Sequence, residues 1–148
     1  MLGGGVSSRL FQKMREERGL VYSVYTHSGF WKDTGSLLSF FSVDSGNLAA
    51  AYDIFLGEIE DLGAGNIGER ELESAKAQLK ASVIFGSESV VSRLFRLFQS
   101  HFHLGRYLSI HEMISSIEGV SIAAVARVAK AYLDRDVLTI TSCGPKTL

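Results

Sequence analysis

LGGGVSSRLFQKMREERGLVYSVY, residues 2–25, is the stretch on which the fold of this 148-residue chain turns. Gly3, Gly4 and Gly5 lead into a short charged helix, on which Val6, Leu10, Phe11 and Met14 recur at helical spacing, with Ser7 or Ser8 available near its N-terminus. Gly19 is the expected stop, and the β-branched and aromatic run after it reads as a strand. Glycines alone are a weak signal, because tight turns use them without any further purpose. Arg15 and Tyr22 are more pointed. They lie seven residues apart, one near the helix end and one just inside the strand. With Leu10 and Phe11 facing the core, Arg15 falls at the border of the apolar face, and Tyr22 can stand near it across the turn. Two readings are open. Either this is a surface Arg beside a half-buried sheet Tyr, or a guanidinium and a phenol form a donor pair for a carbonyl or oxyanion. Taken alone, the residues favour the plainer reading.

Working outward, residues 20–30 and 36–43 are rich in Val, Tyr, Phe and Ser and are joined by WKDTG, which predicts two antiparallel strands and a turn. Helices then dominate. Leu48, Tyr52, Phe55, Ile59 and Leu62 form one apolar stripe, with Asp44 or Ser45 as cap. After LGAGNIG, a helix carries Leu72, Ala75, Leu79 and Val83, and Gly86 is expected to kink or end it. Val91, Leu94, Phe95, Phe98 and Phe102 make a further stripe, and Ser109 and Ser121 cap two more helices. VLTITS (137–142) predicts a last short strand. The pattern is α+β: an antiparallel sheet packed against several helices, in a single domain over 1–148. Three strands are few for so many helices, so the last either joins the central two or belongs to a longer sheet with missing members.

Composition narrows the function. The chain is 46% hydrophobic and 21% charged, as ordinary globular domains are. Its net charge of −1 gives no pull towards nucleic acid or anionic membrane. No apolar run approaches the ~20 residues of a membrane span. Cys143 is the only cysteine, which excludes a disulfide framework. No secretory signal is visible, so the compartment is open: cytoplasmic or periplasmic if the source is bacterial.

The usual catalytic signatures are missing. His101 and His103 are two apart, which on a helix separates the rings by about 200° and prevents a shared metal. HEMIS (111–115) has Ser115 where a zinc-binding HExxH needs its second histidine, and HxxEH is absent too. Neither GxSxG nor GxxxxGK[ST] occurs. The Glu pairs 16–17, 58–60 and 69–71 read as solvated helix faces, and Cys143 as a small hydrophobe near a sheet edge.

The opening stretch resembles the C-terminal half of peptidase family M16, the group of pitrilysin, insulin-degrading enzyme and mitochondrial processing peptidase, and looks closest to bacterial processing-protease-like members. Its most specific part is SSRLFQ-x-x-R-x₆-Y. GSLLSFFSVDSGN, ERELESAKAQLKASVIFGSESVVSRL and VARVAKAYL agree with the family downstream. The resemblance implies a LuxS/M16-like half-domain lacking its first strands. It implies a noncatalytic, substrate-contacting domain of a zinc metallopeptidase, not an enzyme as an isolated chain. By motif position Arg15 and Tyr22 match an Arg and a Tyr that reach across to substrate from the noncatalytic half. Gly3, Gly4 and Gly5 match, in shortened form, a glycine-rich substrate loop. No cofactor is implied in this chain; zinc belongs to the other half, on the same natural chain or a partner subunit. The implied partners are that zinc-bearing half, a peptide or unfolded substrate, and another copy in a homo-oligomer. The rival expectation is a scaffolding relative that cleaves nothing.

Overall fold

The computed structural model describes residues 1–145. A short π-helix (Phe11–Glu16) is followed by strands β1 (Val21–Phe30) and β2 (Gly35–Val43). Then come helices α1 (Leu48–Gly63), α2 (Glu69–Glu88), α3 (Val90–Leu104), α4 (Ile110–Glu118) and α5 (Ile122–Tyr132), and a 3-10 turn (Arg135–Val137). This is the α+β class expected. β1 and β2 pair antiparallel, with Val21 opposite Val43 and Phe30 opposite Gly35, and the WKDTG turn closes with the Trp31 N–H donating to the Thr34 carbonyl at 2.9 Å.

One face of this hairpin packs on α1. Val21 and Val24 from β1 meet Phe55, Leu56, Ile59 and Leu62 from α1, and Leu10 and Met14 from the opening helix close the cluster. Leu10, Met14 and Ile59 are fully buried, each such burial contributing about 1.5–3 kcal/mol. The predicted α1 stripe is therefore the core stripe, with Leu48 and Tyr52 half-buried at its start. Ser109 and Ser121 cap as expected: Ser109 forms a capping box with Glu112, and Ser121 accepts from the Ala124 N–H.

Three expectations need correction. Asp44 and Ser45 do not cap α1; Asn47 holds that position without a side-chain bond, and Asp44 instead accepts from the Gly46 N–H in an Asx turn. Gly86 does not end α2, because a helical glycine costs only about 1 kcal/mol, and the break comes at Ser89, which turns extended and caps α3. The α3 stripe faces outward, with Val91, Leu94, Phe95, Phe98 and Phe102 exposed. Residues 137–142 form no strand: Val137 ends the 3-10 turn and 138–142 are irregular. Residues 138–142 line a cavity of about 590 Å³ together with residues 37–43 of β2 but make no ladder with them, and a strand needs a paired neighbour. Among the described residues the sheet has β1 and β2 alone.

Candidate functional site

Two local irregularities meet where the opening helix enters β1. The helix is wound wide, so the Glu17 N–H reaches the Gln12 carbonyl five residues back at 2.9 Å. Such π-turns are rare and concentrate at functional sites. Gly19 then takes a left-handed φ of 59°, a conformation that penalises any Cβ. Its N–H donates to the Arg15 carbonyl at 3.0 Å, and the Leu20 N–H to the Met14 carbonyl at 2.8 Å, which closes the helix end and aims the chain into β1. On β1, Val21 faces Val43 while Ser23 faces Ser42, so Tyr22 is the extra residue of a β-bulge.

The bulge leaves Tyr22 outside the register, and its carbonyl accepts a hydrogen bond from Arg15 Nη1 at 2.6 Å. The guanidinium also stands 5.3 Å from the Phe11 ring centroid, a cation–π distance. Arg15 and Tyr22 are thus brought together, as their spacing allowed. The contact differs in kind from a paired guanidinium and phenol: it uses the tyrosine backbone, and the hydroxyl is not part of it. Nor is Tyr22 half-buried. The bulge turns its ring outward, and 76% of the residue is exposed.

The glycines lie beside the same strand. The Gly3 carbonyl accepts from the Thr26 N–H at 2.8 Å, and a Cβ on Gly3 would stand 2.9 Å from that nitrogen, too close for any side chain. Gln78 of α2 donates to the Gly4 carbonyl at 2.9 Å and packs against Gly5. Gly4 itself faces open space.

An ion-pair network that the sequence pattern did not reveal holds this segment down. Arg9 meets Glu71 bidentately, with both N···O distances 2.7 Å, and also donates to the Asn66 carbonyl. Glu58, buried on α1, pairs with Lys13 and lies 3.6 Å from Arg9 Nη1. The Arg9 hydrogen bonds hold the Glu71 carboxyl below the usual carboxylate range, and Glu71 raises Arg9 in turn. Glu58 and Glu71 are therefore not solvated helix faces, because each neutralises a cation of the opening segment. The signal was present: Glu58 is three residues after Phe55 and four before Leu62, on the apolar stripe.

No metal centre accompanies the pair. Among the described residues, no three of His, Cys, Asp and Glu converge in a group that could hold an ion. His101 and His103 both lie on α3, as the spacing argument supposed. Cys143 is exposed, not packed as a small hydrophobe. No helix among the described residues is long and apolar enough to cross a membrane.

Comparison with known proteins gives this geometry a context. Residues 1–79 match the family model of the peptidase M16 inactive domain. An uncharacterized zinc protease of Mycobacterium tuberculosis (strain H37Rv) is 36% identical over 134 residues, which cover 90% of this chain and 31% of that protein. The chain thus spans about a third of the length of such relatives. A conserved protein of Enterococcus faecalis superposes with a TM-score of 0.73 at 28% identity, covering 87% of this chain and 30% of that one. A peptidase M16 inactive domain from Pseudomonas fluorescens, at 22% identity, shares the fold with a TM-score of 0.71 over 90% of this chain and 32% of its own.

Proposed function

The chain belongs to the peptidase M16 inactive-domain family, and from that premise we propose that it is the noncatalytic, substrate-contacting domain of a zinc metallopeptidase. The observation that carries the reading is the Arg15–Tyr22 pair, held on one open surface by a π-turn and a bulge. No group of described side chains could hold zinc, and on this reading its ligands belong to another half, on the same natural polypeptide or on a partner, with no step in this chain run through the metal. The Tyr22 hydroxyl, exposed and free to turn, donates a hydrogen bond to a substrate carbonyl, and that bond strengthens as negative charge develops on the oxygen. Arg15, already anchored through one nitrogen, directs its remaining donors at the peptide backbone and adds positive charge. Gly4, with open space about it, lets a peptide approach the main chain between Gly3 and Gly5. The apolar face of α3, with Leu94, Phe95, Phe98 and Phe102 exposed, is of the kind that marks an interaction surface, and it suits the zinc-bearing half or a second copy.

The test is kinetic, on the whole peptidase containing this domain and its zinc half, with a quenched-fluorescent peptide. Tyr22→Phe keeps the ring and removes the hydroxyl, so kcat should fall about 10²–10³-fold, or roughly 2.7–4 kcal/mol. Arg15→Ala should lower kcat and raise KM together, because a backbone clamp acts both before and during chemistry. Its lost bond to the Tyr22 carbonyl costs about 0.5–1.5 kcal/mol of stability, which thermal melts will separate from the kinetic loss. Full activity in both variants would return the pair to surface packing and put a scaffolding role ahead.

A further inference from the structure

A second cavity, of about 570 Å³, is lined by the hairpin turn, α3 and the start of α4, and neither Arg15 nor Tyr22 belongs to it. Its ionisable lining is all basic. Lys32 comes from the turn, Arg96 and His103 from α3, and none of the described lining residues is Asp or Glu. On α3, Arg96, Ser100 and His103 recur at helical spacing, on a face turned away from the apolar stripe. Nearby acids do not neutralise them. Glu112 on α4 bonds to Arg106 and to the Ser109 cap, and Asp33, next to Lys32, does not line the cavity. Among the described residues no carboxylate pairs with Arg96 or Lys32. Arg96 is nonetheless half-buried, and its Nε is enclosed without a hydrogen-bond partner. A guanidinium in that position lacks a counter-charge that the fold does not supply.

We propose that this cavity binds the free C-terminal carboxylate of a peptide, with Arg96 and Lys32 as its counter-charges and the Phe30 and Trp31 rings beside its last side chain. The guanidinium fork matches the two oxygens of a carboxylate, and the ammonium of Lys32 adds a second charge. An inorganic anion would use the charge and leave the apolar lining idle, in a cavity large enough for an organic ligand. An acidic side chain within a peptide carries polar backbone on both sides of it. A C-terminus differs, because the carbon that bears its carboxylate also bears a side chain, which sets charge and apolar group together. The Trp31 ring lies over Gly29, where a Cβ would stand 2.8 Å from it, so glycine at that position makes room for the ring. The proposal rests on the reading of this domain as one that contacts peptides, and it adds the end of the peptide by which the domain holds it.

Trp31 is the only tryptophan of the chain and is exposed beside the cavity, so its emission reports occupancy without any turnover. Acetyl-Ala-Ala-Phe as the free acid should shift that emission in the 148-residue chain and bind at least about tenfold more tightly than its C-terminal amide. Arg96→Gln should bring this ratio close to one, and Lys32→Gln, a change in an exposed turn, should lower it at least about threefold. Within the whole peptidase the same acid-to-amide ratio should appear in KM for a quenched-fluorescent peptide, which keeps the test valid if the shorter chain folds poorly. Arg15→Ala should leave that ratio intact. Acid and amide binding alike would overturn the assignment, as would loss of the ratio in Arg15→Ala but not in Arg96→Gln. An amidated peptide ending in glutamate that binds as well as the free acid would overturn it in favour of an acidic side chain. Inorganic phosphate that competes as strongly as the peptide would reduce the cavity to a patch for any anion. Turnover without the ratio would strike this site alone, and the ratio without turnover would strike the peptidase reading alone.

Discussion

Lys13→Met is the sharpest probe of how the opening helix is held. It keeps the aliphatic stem and removes the ammonium that pairs with Glu58. The Glu58 side chain is 4% exposed and that of Lys13 is 41% exposed, so the two ends of the pair differ greatly in access to water. Breaking a buried pair by removing one partner costs about 3–5 kcal/mol, because the other charge is left uncompensated. Here Arg9 Nη1 remains at 3.6 Å, but its guanidinium is already engaged with Glu71, so it offsets only part of the loss. We therefore expect Lys13→Met to cost about 2–3 kcal/mol. Glu58→Gln is the converse: the amide keeps the shape, and Lys13 re-solvates, which makes the loss about 1 kcal/mol. For a chain of this size 1 kcal/mol moves Tm by about 2–4 °C, so the expected drops are about 4–12 °C and about 2–4 °C. Thermal melts near pH 7, with urea titrations to check that m is unchanged, measure both. Equal or reversed costs would refute the claim that burial of the carboxylate, and not the pairing as such, sets the energetics.

Gly3→Ala places a Cβ 2.9 Å from the Thr26 backbone nitrogen and should cost about 1–3 kcal/mol, whereas Gly4→Ala meets nothing within 4 Å and should stay within about 0.5 kcal/mol in the same urea titration. Acid should weaken the fold in a definite window. The Glu112 carboxyl is lowered to about 2 by the Ser109 backbone N–H, the Ser109 hydroxyl and Arg106, and Glu71 is lowered chiefly by the Arg9 hydrogen bonds. A depressed carboxylate stabilises the folded state above its unfolded pKa, about 4.3, and loses that contribution as pH falls through its folded value. Tm should therefore fall between about pH 4.5 and 2, and Glu112→Gln should make that fall shallower; an unchanged slope would dismiss the capping box as its source.

How much of this fold is visible in its sequence depends on how local each feature is. The α1 stripe and the Ser109 and Ser121 caps were legible because each is decided within a turn or two of one helix. Residues 137–142 were misleading because a strand exists only with a neighbour, and no composition records where the neighbour is. Glu58 was readable by position, yet its charge outweighed its place on the stripe. The Arg15–Tyr22 pair lies between these cases. Its proximity comes from a helix, the Gly19 turn and a strand, but its orientation depends on two single-residue irregularities. One extra residue in a helix rotates all later side chains by about 100°, and one extra residue in a strand sends them to the other face. Had the opening helix kept α-winding, Arg15 would lie about a quarter-turn away. Had β1 kept register, Tyr22 would not be the unpaired residue whose carbonyl receives Arg15. Each irregularity costs stability on its own, since it gives up regular backbone bonds. Both occur between Phe11 and Tyr22, and together they set the Arg15 guanidinium on the Tyr22 carbonyl while both residues stay exposed; whether that arrangement serves a substrate is what the Tyr22→Phe and Arg15→Ala kinetics decide.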